Sequence, residues 1–170
     1  MTVGALAPQL APLTTYFKAY PGGAADNAPC ALRGCGVYTG AGYAAAGGEG
    51  ACLGPAAAAA AGEPTVPLTL WYNGADDNCA APSAPGDGQA WQAIDAECAA
   101  YAGEGSGGGR WPLELWHSPA LQDWWTLASP ASRAAAAARG YTKNASLGWV
   151  AAGGAPPSVE AYAYVLKVEW

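Results

Sequence analysis

Basic residues are scarce in this chain, with only seven Lys and Arg among 170 residues and no cluster of them, against thirteen Asp and Glu for a net charge of −6. Phosphate backbones are recognised by basic patches, so nucleic acid is excluded as a partner, and anionic membrane surfaces are disfavoured for the same reason. Long apolar runs are also missing. The longest, Ala56 to Ala61, is far short of the about 20 residues that a bilayer-spanning helix needs, so no membrane insertion is expected. Histidine is represented once, as His117, and no C-x-x-C occurs, which removes the usual zinc ligand sets; no metal and no cofactor is expected. Gly105 to Gly109 is glycine-rich but lacks the Lys-Ser/Thr ending of a phosphate-binding loop. The N-terminus has neither the positive start nor the continuous apolar stretch of a signal peptide. Either Met1 replaces a removed signal or the protein does not take that route. The first reading is preferred, because Asn144-Ala145-Ser146 is an N-glycosylation sequon.

What the chain does have is 52% apolar residues and a lopsided aromatic set, with eight Trp and nine Tyr against a single Phe. That content suits one domain spanning residues 1–170. Trp and Tyr combine an apolar body with a polar handle, so they serve binding surfaces as well as cores. Five cysteines are many for a cytosolic protein of this size and point to an oxidising, extracellular or cell-surface setting. Sequence proximity suggests the pairs Cys30–Cys35 and Cys79–Cys98. Cys52 is then left over and available to another chain.

An internal repeat organises the rest. Pro12-Leu13-Thr14-Thr15-Tyr16-Phe17 recurs as Pro67-Leu68-Thr69-Leu70-Trp71-Tyr72 and as Pro112-Leu113-Glu114-Leu115-Trp116-His117. Each opening reads as a short strand with proline near its start. Three units follow, at about residues 12–54, 67–109 and 112–152. A second strand is expected at Gly36-Val37-Tyr38-Thr39, Gln89-Ala90-Trp91-Gln92 and Asp123-Trp124-Trp125-Thr126. Gly42-Tyr43 and Gly50 recur as Gly140-Tyr141 and Gly148 with the same spacing. In the third unit Ser129, Pro130 and Gly140 are the N-cap, first-turn proline and C-cap glycine of a short helix. The second unit offers a counterpart helix at Ala93 to Tyr101, the first unit none at that place, and Ala56 to Ala61 a helical turn. Val159 to Trp170 alternates as a closing strand. The expected fold is mainly β with short helices, a single domain whose three pseudo-repeats close in a β-trefoil-like, pseudo-threefold arrangement.

These units resemble a repeat family of unknown function, found mainly in secreted and cell-surface proteins of bacteria and fungi. Its units open Pro-Leu-x-x-x-Tyr-Asn, continue to Gly-Asp-His-Phe-Tyr-Thr, then a short helix and Gly-Tyr. The third unit, with Gln122-Asp123-Trp124-Trp125-Thr126, the helix and Gly140-Tyr141, carries the resemblance best, and the pattern extends over roughly residues 10 to 152. The second-strand His of the family is absent from all three copies, and its helical acidic residue is kept only in the second, as Asp95 or Glu97. The resemblance implies an accessory, carbohydrate-associated module of secreted hydrolases. Gln89-Ala90-Trp91 and Gln122-Asp123-Trp124 look like the Gln-x-Trp signature of ricin-type lectins, but fall mid-unit rather than near the unit's end.

Sugar recognition needs an aromatic face beside carboxylates or amides that accept hydroxyl hydrogen bonds. Trp124, Asp123, Gln122, Trp71, Trp116, Asp77 and Asn78 are the candidate ligand residues, with Trp124 expected to be exposed and Trp125 to lie in the core. Asp76-Asp77-Asn78 lacks the glycine-centred spacing of a calcium loop and reads as a solvated turn. His117 occupies the repeat slot of Phe17 and Tyr72, so packing explains it better than catalysis with Ser118, and no catalytic residue is assigned. The resulting expectation is a non-catalytic extracellular module that binds a glycan or glycoprotein, glycosylated at Asn144. The alternative is an assembly subunit that meets other protein chains through aromatic faces or Cys52.

Overall fold

Proline can open a strand without wasting a ladder donor, and each Pro-Leu pair lies two residues inside a strand of the computed structural model, which describes residues 10–21, 25–31, 35–74 and 77–153. The chain order is β1 (Leu10–Ala19), β2 (Ala25–Cys30), α1 (Cys35–Gly40), β3 (Ala44–Leu53), α2 (Pro55–Ala60), β4 (Thr65–Tyr72), β5 (Asn78–Ala81), β6 (Gln92–Tyr101), β7 (Arg110–Ser118), β8 (Asp123–Leu127), α3 (Pro130–Ala138) and β9 (Thr142–Ala151). The fold is mainly β, and the nine strands belong to one antiparallel sheet. Among the described residues no helix is long and apolar enough to cross a membrane.

One pairing pattern occurs three times. β1 pairs with β2 and β3, β4 with β5 and β6, and β7 with β8 and β9. In each first-to-third pairing the register shifts twice, once after the Pro-Leu leucine and once two residues later. Such bulges bend a strand and increase its twist. The bend lets the third strands meet, through Leu53↔Ala99, Tyr101↔Trp149 and Ala51↔Ala151. Glycine is required where they do. A Cβ on Gly50 would sit 2.5 Å from the Ala151 carbonyl oxygen, one on Gly148 2.6 Å from that of Tyr101, and both have positive φ. Leu13, Leu68 and Leu113 are buried together in the main core cluster, with Cys52, Cys98, Trp124 and Val150.

Several expectations need correction. Gly36 to Thr39 lies in α1, and Gln89 to Trp91 precedes β6, so neither is a second strand; β2 and β5 take that place. Ala93 to Tyr101 belongs to strand β6, not to a helix. Its apolar positions fit helical spacing, but pairing with β4 along its whole length overrides the helix preference of alanine. The helix between second and third strands is therefore present in the first and third units, as α1 and α3, and replaced by the 82–91 loop in the second. α3 forms as its caps require, with Ser129 Oγ accepting from Ser132 N, and α2 covers the expected alanine turn. The disulfides are Cys30–Cys35 and Cys52–Cys98, leaving Cys79 buried and free. Cys79 does not pair with Cys98, because β6 runs beside β3 at that point and Cys52 is the thiol within reach. Consequently Cys52 is not the odd cysteine. The closing strand expected at Val159 to Trp170 lies outside the described residues.

Candidate functional site: a buried carboxylate centre and an open seam

The second strands β2, β5 and β8 pack against one another. An aspartate stands at or just before the start of each: Asp26 lies opposite Lys18, Asp77 precedes β5 beside Asn73, and Asp123 lies opposite Ser118. Lys18, Asn73 and Ser118 each stand six residues after a Pro-Leu proline, so the three aspartates are equivalent by register. They are 1%, 3% and 1% exposed, and one carboxylate oxygen from each lies within 4.8 Å of the others.

The residue after each aspartate donates its backbone N–H to the aspartate of another unit: Asn27 to Asp123, Asn78 to Asp26 and Trp124 to Asp77. The three bonds close a ring. In two units further donors follow. Asn27 Nδ2 donates to Asp123 Oδ2 at 2.6 Å, and Asn78 Nδ2 to Asp26 Oδ2 at 3.3 Å. The Gly-Tyr motifs now acquire a role, since Tyr43 donates its hydroxyl to Asp26 and Tyr141 its own to Asp123. Gly42 and Gly140, both at positive φ, make the turns that aim these phenols inward. Asp77 receives neither gift. Its unit has a loop in place of the helix and Gly-Tyr, and Trp124, standing where the other units have an asparagine, gives its indole N–H to Asp87 instead.

Desolvation pushes all three carboxyls above their usual range, and repulsion from Asp123 adds to it at Asp26 and Asp77. Asp26 reaches about 7, with its bonds from Tyr43 and Asn78 opposing the rise. Asp77 is raised strongly, by burial first and then by the charge of Asp123, and its carboxyl shares a side-chain hydrogen bond with Asp123, which Tyr141 and Asn27 also restrain. Burial and the bonds to aspartate also raise Tyr43 and Tyr141, which therefore stay protonated donors. A centre so enclosed does not meet a polymeric ligand. Asp77 and Asn78, expected in a solvated turn, and Asp123 are interior because the three second strands converge there.

Trp124 is likewise only 3% exposed, and Trp125 is buried beside it. The expected outward face of Trp124 is covered by His117, which stacks on it at 4.2 Å, and its Nε1 donates to Asp87 Oδ2. Asp87 also accepts from Trp91 Nε1 and from Gln89, forming a clasp that holds the 82–91 loop onto the third unit. His117 thus packs. Ser118 Oγ accepts instead from Leu121 N. Trp71 and Trp116 are half-buried, with their indole N–H groups donated to Ala81 O and Glu114 Oε2. Gln122 is exposed in a left-handed turn, φ 51°, and Asn144 is exposed on β9. The structure gathers Asp77, Asn78 and Asp123 into one centre, places Trp124 at its edge, and leaves Trp71, Trp116 and Gln122 out of it.

A different exposed feature comes from the junctions between units. Buried Glu49 reaches from β3 to the third unit, where it accepts from Ala128 N at 2.8 Å, Ser129 N at 2.7 Å and Ser132 Oγ, while also accepting from Thr15 at 3.0 Å. Glu97 does the same from β6, accepting from Ala31 N in the first unit. The equivalent position on β9 is Leu147, and the equivalent of Ala31 and Ala128 is Pro82, which has no N–H. Among the described residues this third seam has no such carboxylate latch. A cavity of about 320 Å³ opens along it, lined by Leu147, Pro82, Val66, Pro112, Ser146 and Trp149 among others. Sequence reading missed both features, although the recurring Asp-Asn at 26–27 and 77–78 was a usable signal for the first.

A scan against protein-family models, a search of curated proteins and a search of solved structures each return no match.

Proposed function

We propose that this chain is a non-catalytic binding module of the extracellular or cell-surface environment, with a cell-wall or glycoprotein glycan as its ligand. The observation that carries the reading is the unlatched seam. It supplies an open depression at the small end of the ligand-pocket range, whose lining includes half-buried Trp149 and exposed Ser146. An aromatic wall with an adjacent polar group is the chemistry that packs the C–H face of a pyranose and bonds its hydroxyls. Two disulfides support an oxidising compartment. A trefoil-like, pseudo-threefold closure of three repeats is part of the same proposal, supported by the threefold recurrence of pairing and bulges and by the ring of third strands. The resemblance to the secreted repeat family points the same way.

The alternative, an assembly subunit, draws on Ile94, an apolar residue 54% exposed on the first half of β6, which among the described residues pairs with β4 alone. Such a free strand edge can accept another chain. The buried Cys79 gives no support to an intermolecular disulfide.

A glycan array probed with the wild-type protein and with Trp149→Ala tests the first reading. Binding to a defined sugar class that falls at least tenfold in the variant is expected, and no wild-type binding would refute it. Solution mass under non-reducing conditions tests the second, which a monomer at micromolar concentration argues against.

A further inference from the structure

We propose that Asp26, Asp77 and Asp123 form the binding site of a single hard divalent cation, of the Ca²⁺, Mg²⁺ or Mn²⁺ class, at the point where the three second strands converge. This goes beyond the glycan reading and does not depend on it.

The geometry fits an oxygen-ligated ion. Ligands around Ca²⁺ lie at about 2.3–2.6 Å from it, so two oxygens sharing the ion stand at most about 5 Å apart, and the three carboxylates meet that limit. The second observation concerns unspent acceptors. Asp26 Oδ1, Asp77 Oδ2 and Asn27 Oδ1 are all buried without a hydrogen-bond partner. Asn27 is not an acid and has no exposed surface, yet its carboxamide lies in the cluster. Its Nδ2 is committed to Asp123 and to Tyr141, at 2.6 and 3.1 Å. Flipping the amide would forfeit both bonds, so the orphaned oxygen is a true feature of the site. Leaving buried acceptors unpaired is costly, and a group of them in one acidic cluster is what a cation satisfies.

Charge balance leads to the same place. The ion pairs among the described residues are Arg110–Glu63 and Lys143–Glu114, and neither touches the centre. Lys18 lies over the rings of Tyr20 and Tyr43 rather than on Asp26. The donors present are distributed unequally: Asp77 receives no tyrosine or amide, only the Trp124 N–H and a side-chain contact with Asp123. The cation therefore has most to offer Asp77, and the other two carboxylates complete an anionic set of three. Oxygen-only ligation selects hard cations over zinc or copper. Tyr43 and Tyr141 act behind the ligands, orienting Asp26 and Asp123.

The test uses the full chain stripped with EDTA and dialysed, then titrated separately with CaCl₂, MgCl₂ and MnCl₂. Saturable binding of one ion per chain is expected for at least one metal, with a melting temperature raised by about 5–10 °C at a hundred times its Kd. Asp77→Asn is the decisive variant, because its amide can donate to Asp123 and keep the centre folded. It should melt no lower than the stripped wild type and lose the cation-induced rise. The proposal is overturned if none of the three metals binds stoichiometrically at millimolar concentration, or if the rise persists undiminished in Asp77→Asn.

Discussion

Asp87 and Glu49 are carboxylates with opposite settings, and each supports a prediction at the scale of one residue. Asp87 is mostly exposed; partial desolvation tends to raise it, but the hydrogen bonds from Gln89, Trp91 and Trp124 together outweigh that and lower it below the aspartate value of 3.8. A lowered folded-state value means that the clasp contributes fully above 3.8 and is lost as pH falls through the lower folded value. Tryptophan emission should accordingly be steady through neutral and mildly acidic pH, then change as Trp91 and Trp124 lose their acceptor. Asp87→Ala should show the acid-type spectrum already at pH 7. Glu49, in contrast, is wholly buried, and its removal strands the N–H groups of Ala128 and Ser129. Each unsatisfied buried donor costs about 1–3 kcal/mol, so Glu49→Ala should lose about 3–5 kcal/mol in urea unfolding. A loss under 1 kcal/mol would contradict the latch.

Among elements, the third strands bear the tightest constraint. β9 approaches β6 so closely at Gly148 that a methyl group would strike the Tyr101 carbonyl. Gly148 also has φ 130°, a conformation L side chains rarely adopt. Gly148→Ala should therefore destabilise by about 2–4 kcal/mol, read as a lower urea midpoint. Alanine at Gly140, which has open space around its Cβ direction but φ 82°, should cost less, about 1 kcal/mol. Legibility differed in the same way. α3 was readable because Ser129, Pro130 and Gly140 are local signals that the backbone satisfies by itself. β6 was not, because Ala93 to Tyr101 carries a helical pattern and only its ladder with β4 makes it a strand. The second strands β2 and β5 were missed for a related reason: Ala-Asp-Asn-Ala-Pro-Cys and Asn-Cys-Ala-Ala have little strand propensity, and only their ladders with β1 and β4 make them strands.

At the scale of the whole molecule, Cys52–Cys98 ties the third strands of the first and second units across 46 residues of chain. Closing a loop of that length stabilises by about 4 kcal/mol in the chain-entropy model, so reduction should lower the urea midpoint by a corresponding amount. Thiol titration of the unreduced protein should find no reactive group in the native state, since Cys79 is buried and its thiol is pushed up by desolvation and nearby carboxylates. One thiol per chain should appear on denaturation. Two or more native thiols would overturn the assigned pairing. The local pair Cys30–Cys35 could be anticipated from sequence spacing, whereas Cys52–Cys98 depends on which strands of different units become neighbours. The same division runs through the whole protein. Composition, the Pro-Leu and Gly-Tyr recurrences and the helix caps are properties of short stretches of chain, and they determined a mainly β architecture with one well-capped helix. Which polar residues became interior was decided only by tertiary convergence. Asp26, Asp77 and Asp123 are distant in sequence and look like ordinary turn aspartates, but the packing of three short strands desolvates them together, and it turns Trp124 inward while leaving the seam at Trp149 open.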